Sequence, residues 1–209
     1  MTINRICLIG GLFFLVLLMS TSRTLASTAM DDLKTPIEDV VNLLKDPKYK
    51  NPDMRQQQRD KIIIITREVF DFTEMSKRAL ARNWKSFDPK EQQQFVDAFA
   101  DLLSNTYIDK IQGEYKDESV VFLEQEMVAD NKAIVKTKVQ RQSGEIPIVY
   151  SMFLNGDKWR IYDVNIEGVS LIKNYRSQFD QLLVKDSPAQ LIDRLKKKTG
   201  LKTDLKPES

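Results

Sequence analysis

From Ser119 to Glu167 apolar residues recur with a period of two, and three short polar pairs interrupt them. A period of two places successive side chains on opposite faces of a strand. The pairs Asp130-Asn131, Ser143-Gly144 and Asn155-Gly156 are tight hairpin signals. The stretch therefore predicts four strands, Ser119 to Val128, Lys132 to Gln142, Glu145 to Leu154 and Lys158 to Glu167, joined as an antiparallel meander. In the second, Ala133, Val135 and Val139 alternate with Lys136, Lys138 and Gln140. In the third, Ile146, Ile148, Tyr150, Met152 and Leu154 share one face, with Val149 and Phe153 on the other. Pro147 favours an edge or a bulge. In the fourth, Trp159, Ile161 and Asp163 fall on one face, and Tyr162, Val164 and Ile166 on the other. Apolar residues on both faces predict that both meet protein or ligand.

At Gly168 the period changes. Val169, Ile172, Tyr175, Arg176 and Phe179 are spaced three or four apart, as on one side of a helix. The fourth strand is thus expected to bend through Gly168 directly into an amphipathic helix. Upstream, Met30 to Lys45 predicts a first helix, with Val40, Val41, Leu43 and Leu44 forming its apolar side together with Leu33 and Ile37, stopped by Asp46-Pro47. Met54 to Asp71 predicts a second, its spacing of Ile62, Ile65, Val69 and Phe72 outweighing the strand-like isoleucine run 62–65. Asp71 and Glu74 suggest a capping box for a short third helix that ends near Trp84. Asp88-Pro89-Lys90-Glu91 starts a long fourth one with a stripe of Phe95, Phe99, Leu102, Leu103 and Tyr107. It is expected to run to about Ile111, with Gly113 as its stop. Pro188 opens a last helix carrying Leu191, Ile192 and Leu195, and Gly200 ends it. The whole is an α+β single domain: N-terminal helices, a four-stranded antiparallel sheet and C-terminal helices.

Composition removes most chemistry. The 209 residues contain no His and a single cysteine, Cys7. Arg5, the apolar run Ile6 to Met19 and the small residues around Ala26 predict a secretory signal peptide over residues 1–26, cleaved after Ala26, with Ser27-Thr28-Ala29 as a second cleavage point and an uncleaved membrane anchor as the alternative reading. The expected mature domain spans 27–200, followed by a frayed tail at 201–209. Cleavage removes Arg5, Arg23 and Cys7 and leaves equal numbers of basic and acidic residues. Thiolate nucleophiles, imidazole bases and the usual zinc ligands are then excluded. The charge balance argues against nucleic acid as a partner.

Two carboxylates, Asp163 and Glu167, are candidates for a catalytic pair, four apart on one strand face, although an ion pair with a nearby Arg explains them more simply. Ser170 lies outside any nucleophile elbow, and an N-cap is its plainer role. What remains is apolar surface, which allows either a hollow core that takes a small molecule or a filled one. Periodicity does not distinguish them, and pattern alone puts the filled core first, because native interiors are close-packed.

Two blocks carry a family resemblance: FDFTEMSKRALARNW, Phe70 to Trp84, and WRIYDVNIEGVSLIKNYRSQF, Trp159 to Phe179. In these blocks, its leader, its length and its element order, the chain resembles the MlaC family, also called the toluene-tolerance or ABC-transporter auxiliary family, of periplasmic phospholipid-binding proteins. Ala81 departs from the pattern, since many members have Gly there; only local packing is expected to change. The resemblance implies a deep apolar pocket between sheet and helices that holds acyl chains, with no enzyme activity and no cofactor, the phospholipid being cargo. It implies lipid transport that serves outer-membrane lipid asymmetry. The partners are then an inner-membrane ABC transporter with its membrane-anchored ring subunit and an outer-membrane lipoprotein complex, and the carrier is expected to be a monomer. Lipid-lining candidates are Phe70, Phe72, Met75, Phe95, Phe99, Tyr107, Tyr150, Met152, Ile161, Val164, Val169, Leu171 and Tyr175. Arg82 and Arg176 are the head-group candidates. The alternative is a periplasmic scaffold of the same fold with a filled core.

Overall fold

The computed structural model describes residues 27–197, so the leader assigned to 1–26 and the tail at 201–209 lie outside the described residues. Four helices come first: α1 (Ala29–Lys45), α2 (Arg55–Val69), α3 (Phe72–Leu80) and α4 (Pro89–Glu114). The sheet follows as β1 (Ser119–Ala129), β2 (Lys132–Arg141), β3 (Gly144–Asn155), β4 (Lys158–Ile166) and β5 (Val169–Ser170). Helices α5 (Leu171–Leu182) and α6 (Pro188–Lys197) close the described chain.

Capping chemistry sets the helix starts. Asp88 and Glu91 form the reciprocal capping box that opens α4, with Pro89 in its first turn. Asp71 caps α3 through the Glu74 amide at 2.7 Å. The box there is incomplete, because the Glu74 carboxylate turns to the Arg78 guanidinium at 2.8 Å. Helix α4 passes through Gly113 and stops one residue later, where Tyr115 is extended (φ −61°, ψ 124°). Glycine permits a left-handed stop but does not impose one.

The sheet is antiparallel in the order β1-β2-β3-β4-β5, with five strands where four were expected. The chain does not bend through Gly168 into a helix. It makes a tight hairpin at Glu167-Gly168, both left-handed (φ 51° and 88°), and Val169 pairs back on Ile166. A two-residue strand has no periodicity to betray it. Ser170 then caps α5, accepting from the Lys173 amide at 3.1 Å. Pro147 sits where β3 runs past its last paired residue on β4, Ile148 opposite Ile166, and its carbonyl accepts from the Glu167 amide at 3.1 Å.

A bulge on β4 overturns the expected face assignment. Ile161 pairs with Met152 and Asp163 with Ser151, so Tyr162 is an extra residue in β4. The extra residue restores phase: Trp159, Ile161 and Val164 are all buried on the inner face, with Ile166 packed beside them. Tyr162 is turned outward, where the Arg78 guanidinium lies 3.9 Å from its ring centre. The sheet is consequently one-sided. Its inner face carries Ala133, Val135, Met152 and the β4 residues, while Lys136 and Lys138 on the outer face pair with Glu124 and Glu145.

Two apolar cores result. One is helical, from α3, α4, α5 and α6, and centres on Phe95, Phe99, Tyr175 and Phe179, whose ring centres lie 5.1–5.6 Å apart. The other joins the start of α1 and the end of α2 to the inner sheet face. The two blocks named above meet at the joint between them. The Asp71 amide donates to the Ile161 carbonyl at 2.9 Å, Arg176 Nε to the Arg78 carbonyl at 2.8 Å, and Asn83 to Asp180 at 2.6 Å.

Ala81 lies in that joint at φ 47°, ψ −118°, a region that glycine tolerates and a Cβ resists. The departure from Gly therefore acts on the backbone, not on packing alone. Such a conformation costs about 1–3 kcal/mol in a non-glycine residue. The Ala81→Gly variant is expected to be more stable by about 1 kcal/mol, read as a higher denaturant midpoint at unchanged slope.

Candidate functional site

Helices α1, α2 and α4 do not close onto the inner sheet face. They leave a cavity of about 500 Å³. Leu33, Pro36, Ile37, Val40, Val41 and Leu44 of α1 form one wall, and Ile65, Thr66, Val69 and Phe70 form the next. Tyr107, Lys110, Ile111 and Glu114 of α4 add a third, and Val120, Val139, Ile146, Ile148, Tyr150, Ile161 and Ile166 supply the floor from the sheet.

The direction of α1 orients the cavity. The Met30 amide donates to Gln125 Oε1 at 2.7 Å, and the Trp159 amide donates to Asp32 Oδ2 at 2.8 Å. The start of α1 is thus tied to one end of the sheet, where its inner core is packed solid. The second half of α1, with Val40, Val41 and Leu44, extends toward the other end and remains half-buried. Charged lining residues are Lys110, Glu114, Glu118, Arg141 and Glu167. The strand registers gather Ser119, Gln140, Glu145 and Ile166 at that same far end, which makes it the mouth.

Four of the lipid-lining candidates border the cavity: Phe70, Tyr107, Tyr150 and Ile161. Phe72 stacks on Phe70, ring centres 5.8 Å apart, against the helical core. Met75, Phe95, Phe99, Leu171 and Tyr175 are buried inside that core. Met152 and Val164 belong to the solid part of the sheet core, and Val169 is half-buried in β5. Of the head-group candidates, Arg82 is exposed and Arg176 binds the Arg78 carbonyl. Neither borders the cavity. The α1 stripe and the mouth residues Lys110 and Arg141 do border it, and the sequence reading did not select them. The stripe was visible as an amphipathic helix, but what it faces depends on where α1 lands.

Asp163 and Glu167 do not form a pair on one strand face. Asp163 accepts from the Ser170 hydroxyl at 2.6 Å and the Ile172 amide at 3.1 Å, which ties β4 to the start of α5. Among the described residues, no arginine pairs with it. Glu167 sits exposed in the β4–β5 turn. Among the described residues, no helix is long and apolar enough to cross a membrane.

Two phenols record the dryness of the interior. Burial pushes the Tyr150 hydroxyl up to about 12, opposed in part by a hydrogen bond with Thr137. Burial does the same to Tyr175, beside Tyr107, again up to about 12. An unfolded tyrosine ionises near 10. The folded state thus holds these two protons where the unfolded chain releases them, so stability is lost as pH rises from about 10 toward 12. Alkaline unfolding in that window is expected to coincide with the last step of tyrosinate absorbance, to which Tyr150 and Tyr175 contribute.

Comparison with known proteins now decides the family. The model of the MlaC protein family matches residues 34–197, most of the chain. The chain belongs to the MlaC family. A solved structure similar to this chain is that of the phospholipid-binding protein from Ralstonia solanacearum, determined in complex with a phospholipid. It is 26% identical, superposes with a TM-score of 0.70, and the match covers 82% of this chain and 96% of that one. A search of curated proteins finds no significant match. Both motif blocks and every cavity wall from Pro36 onward lie inside the MlaC match, so the family assignment spans the cavity as well as the joint.

Proposed function

We propose that this chain is a non-enzymatic phospholipid carrier of the periplasm, with the cavity under α1 as its acyl-chain site. The observation that carries the reading is the apolar void itself. A pocket of about 500 Å³ with largely apolar walls has the size of a small-molecule site, in a molecule whose two cores are otherwise packed. A methylene takes about the volume of a water molecule, ~30 Å³, so the space matches roughly one sixteen-carbon chain. Burying each methylene returns ~0.8 kcal/mol, enough to hold a lipid against water.

The MlaC family and the phospholipid seen with the Ralstonia relative support the same ligand. In this reading the leader delivers the chain to the periplasm. There it exchanges lipid between an outer-membrane lipoprotein complex and an inner-membrane ABC transporter with its ring subunit. The competing scaffold reading required a filled core, which the cavity does not favour. The test is native mass spectrometry of protein purified from cells. A bound phospholipid mass is expected. The bare polypeptide mass, with no extractable phospholipid, would reject the carrier.

A further inference from the structure

The mouth carries charges of both signs that do not neutralise one another. Lys110 and Glu114 come from the last turns of α4, Glu118 from the loop before β1, Arg141 from the end of β2, and Glu167 from the β4–β5 turn. None of the five takes part in an ion pair among the described residues. Glu118 spends one carboxylate oxygen on the Lys116 amide at 2.5 Å. Glu114 and Glu167 are exposed and make no side-chain hydrogen bond. Two cations and three carboxylates thus ring one apolar opening, each sign open to a ligand whose tail lies inside.

A lipid phosphate set at this opening meets Arg141 and Lys110, and a guanidinium suits phosphate oxygens bidentately. The carboxylates around it repel a head group whose only charge is that phosphate. They attract one that carries an ammonium as well. We infer that the mouth selects zwitterionic lipids, with a phosphate and an N–H-bearing ammonium, over lipids whose head group is purely anionic. This rests on the carrier reading of the cavity. The carboxylate excess of one is modest and partly screened by salt, so a roughly fivefold preference is the expected scale.

The experiment loads delipidated mature protein from vesicles equimolar in phosphatidylethanolamine and phosphatidylglycerol with identical acyl chains. The protein is re-isolated and its lipid quantified by mass spectrometry. About fivefold more ethanolamine than glycerol lipid is expected. The double variant Glu114→Lys, Glu167→Lys is expected to invert the ratio, with circular dichroism and the melting temperature reporting that it is folded, since both side chains are exposed. Equal uptake of the two lipids by the unaltered protein, or a ratio that charge reversal leaves in place, overturns the inference while the carrier reading stands. Uptake of neither lipid overturns the carrier reading instead.

Discussion

Phe99→Ala is expected to lower the unfolding free energy by about 3–5 kcal/mol. Phe99 is fully buried on α4, and its ring lies 5.1 Å from Tyr175, 5.4 Å from Phe179 and 5.6 Å from Phe95, centre to centre. Removing it deletes the shared neighbour of three aromatic rings and leaves a hole that four separate helices cannot collapse. Edge-to-face contacts add to the loss. Denaturant titration followed by tyrosine and tryptophan fluorescence measures it. A loss below about 1 kcal/mol would mean that this aromatic cluster is not the helical core. The charged variant Phe99→Asp buries an unpaired carboxylate in the same place and is expected not to fold at all. Phe99 therefore cannot serve as a lipid probe, because its loss removes the fold before any cavity is tested.

Val41→Asp is the converse case, with a large effect on ligand and a small one on folding. Val41 lines the cavity from the half-buried second half of α1 and belongs to neither apolar core. A carboxylate there would have to shed water against an alkyl chain. Displacing two or three methylenes, at ~0.8 kcal/mol each, weakens lipid binding by more than tenfold. Copurified phospholipid, measured by extraction and mass spectrometry, is expected to fall accordingly, with the melting temperature shifted by only a few degrees. A folded Val41→Asp protein that retains its full lipid content would place the binding site elsewhere. Leu123→Asp is the control: Leu123 is 53% exposed on β1 and does not border the cavity, so its lipid content is expected to stay level.

The contrast between Phe99 and Val41 shows where local pattern stops being informative. Both lie on apolar stripes of predicted helices, and the aromatic one looked the better lipid contact. Aromatic density in fact marks the solid core, since flat rings interlock at 5–6 Å and leave no room. The cavity is walled by aliphatic and β-branched residues with a few tyrosines. Likewise, the two blocks that carry the MlaC resemblance line little of the cavity beyond Phe70, Ile161, Ile166 and Glu167. They build the joint, where Asp71, Arg78, Asn83, Ile161, Arg176 and Asp180 meet.

Chain chemistry alone decided the elements. Asp88 with Pro89, Ser170 before Leu171 and the three hairpin pairs act over a few residues, through backbone hydrogen bonds that need no partner from elsewhere. The absence of His and the single Cys, Cys7, are likewise properties of composition, and they narrowed the expected chemistry before any fold was known. Tertiary structure decided two things. The Tyr162 bulge set which half of β4 faces inward, because one extra residue flips every side chain that follows it. The anchoring of Met30 and Asp32 at one sheet end left the other half of α1 without a partner. That vacancy is the cavity. A void is the absence of neighbours at long range, and no periodicity in a single segment encodes it.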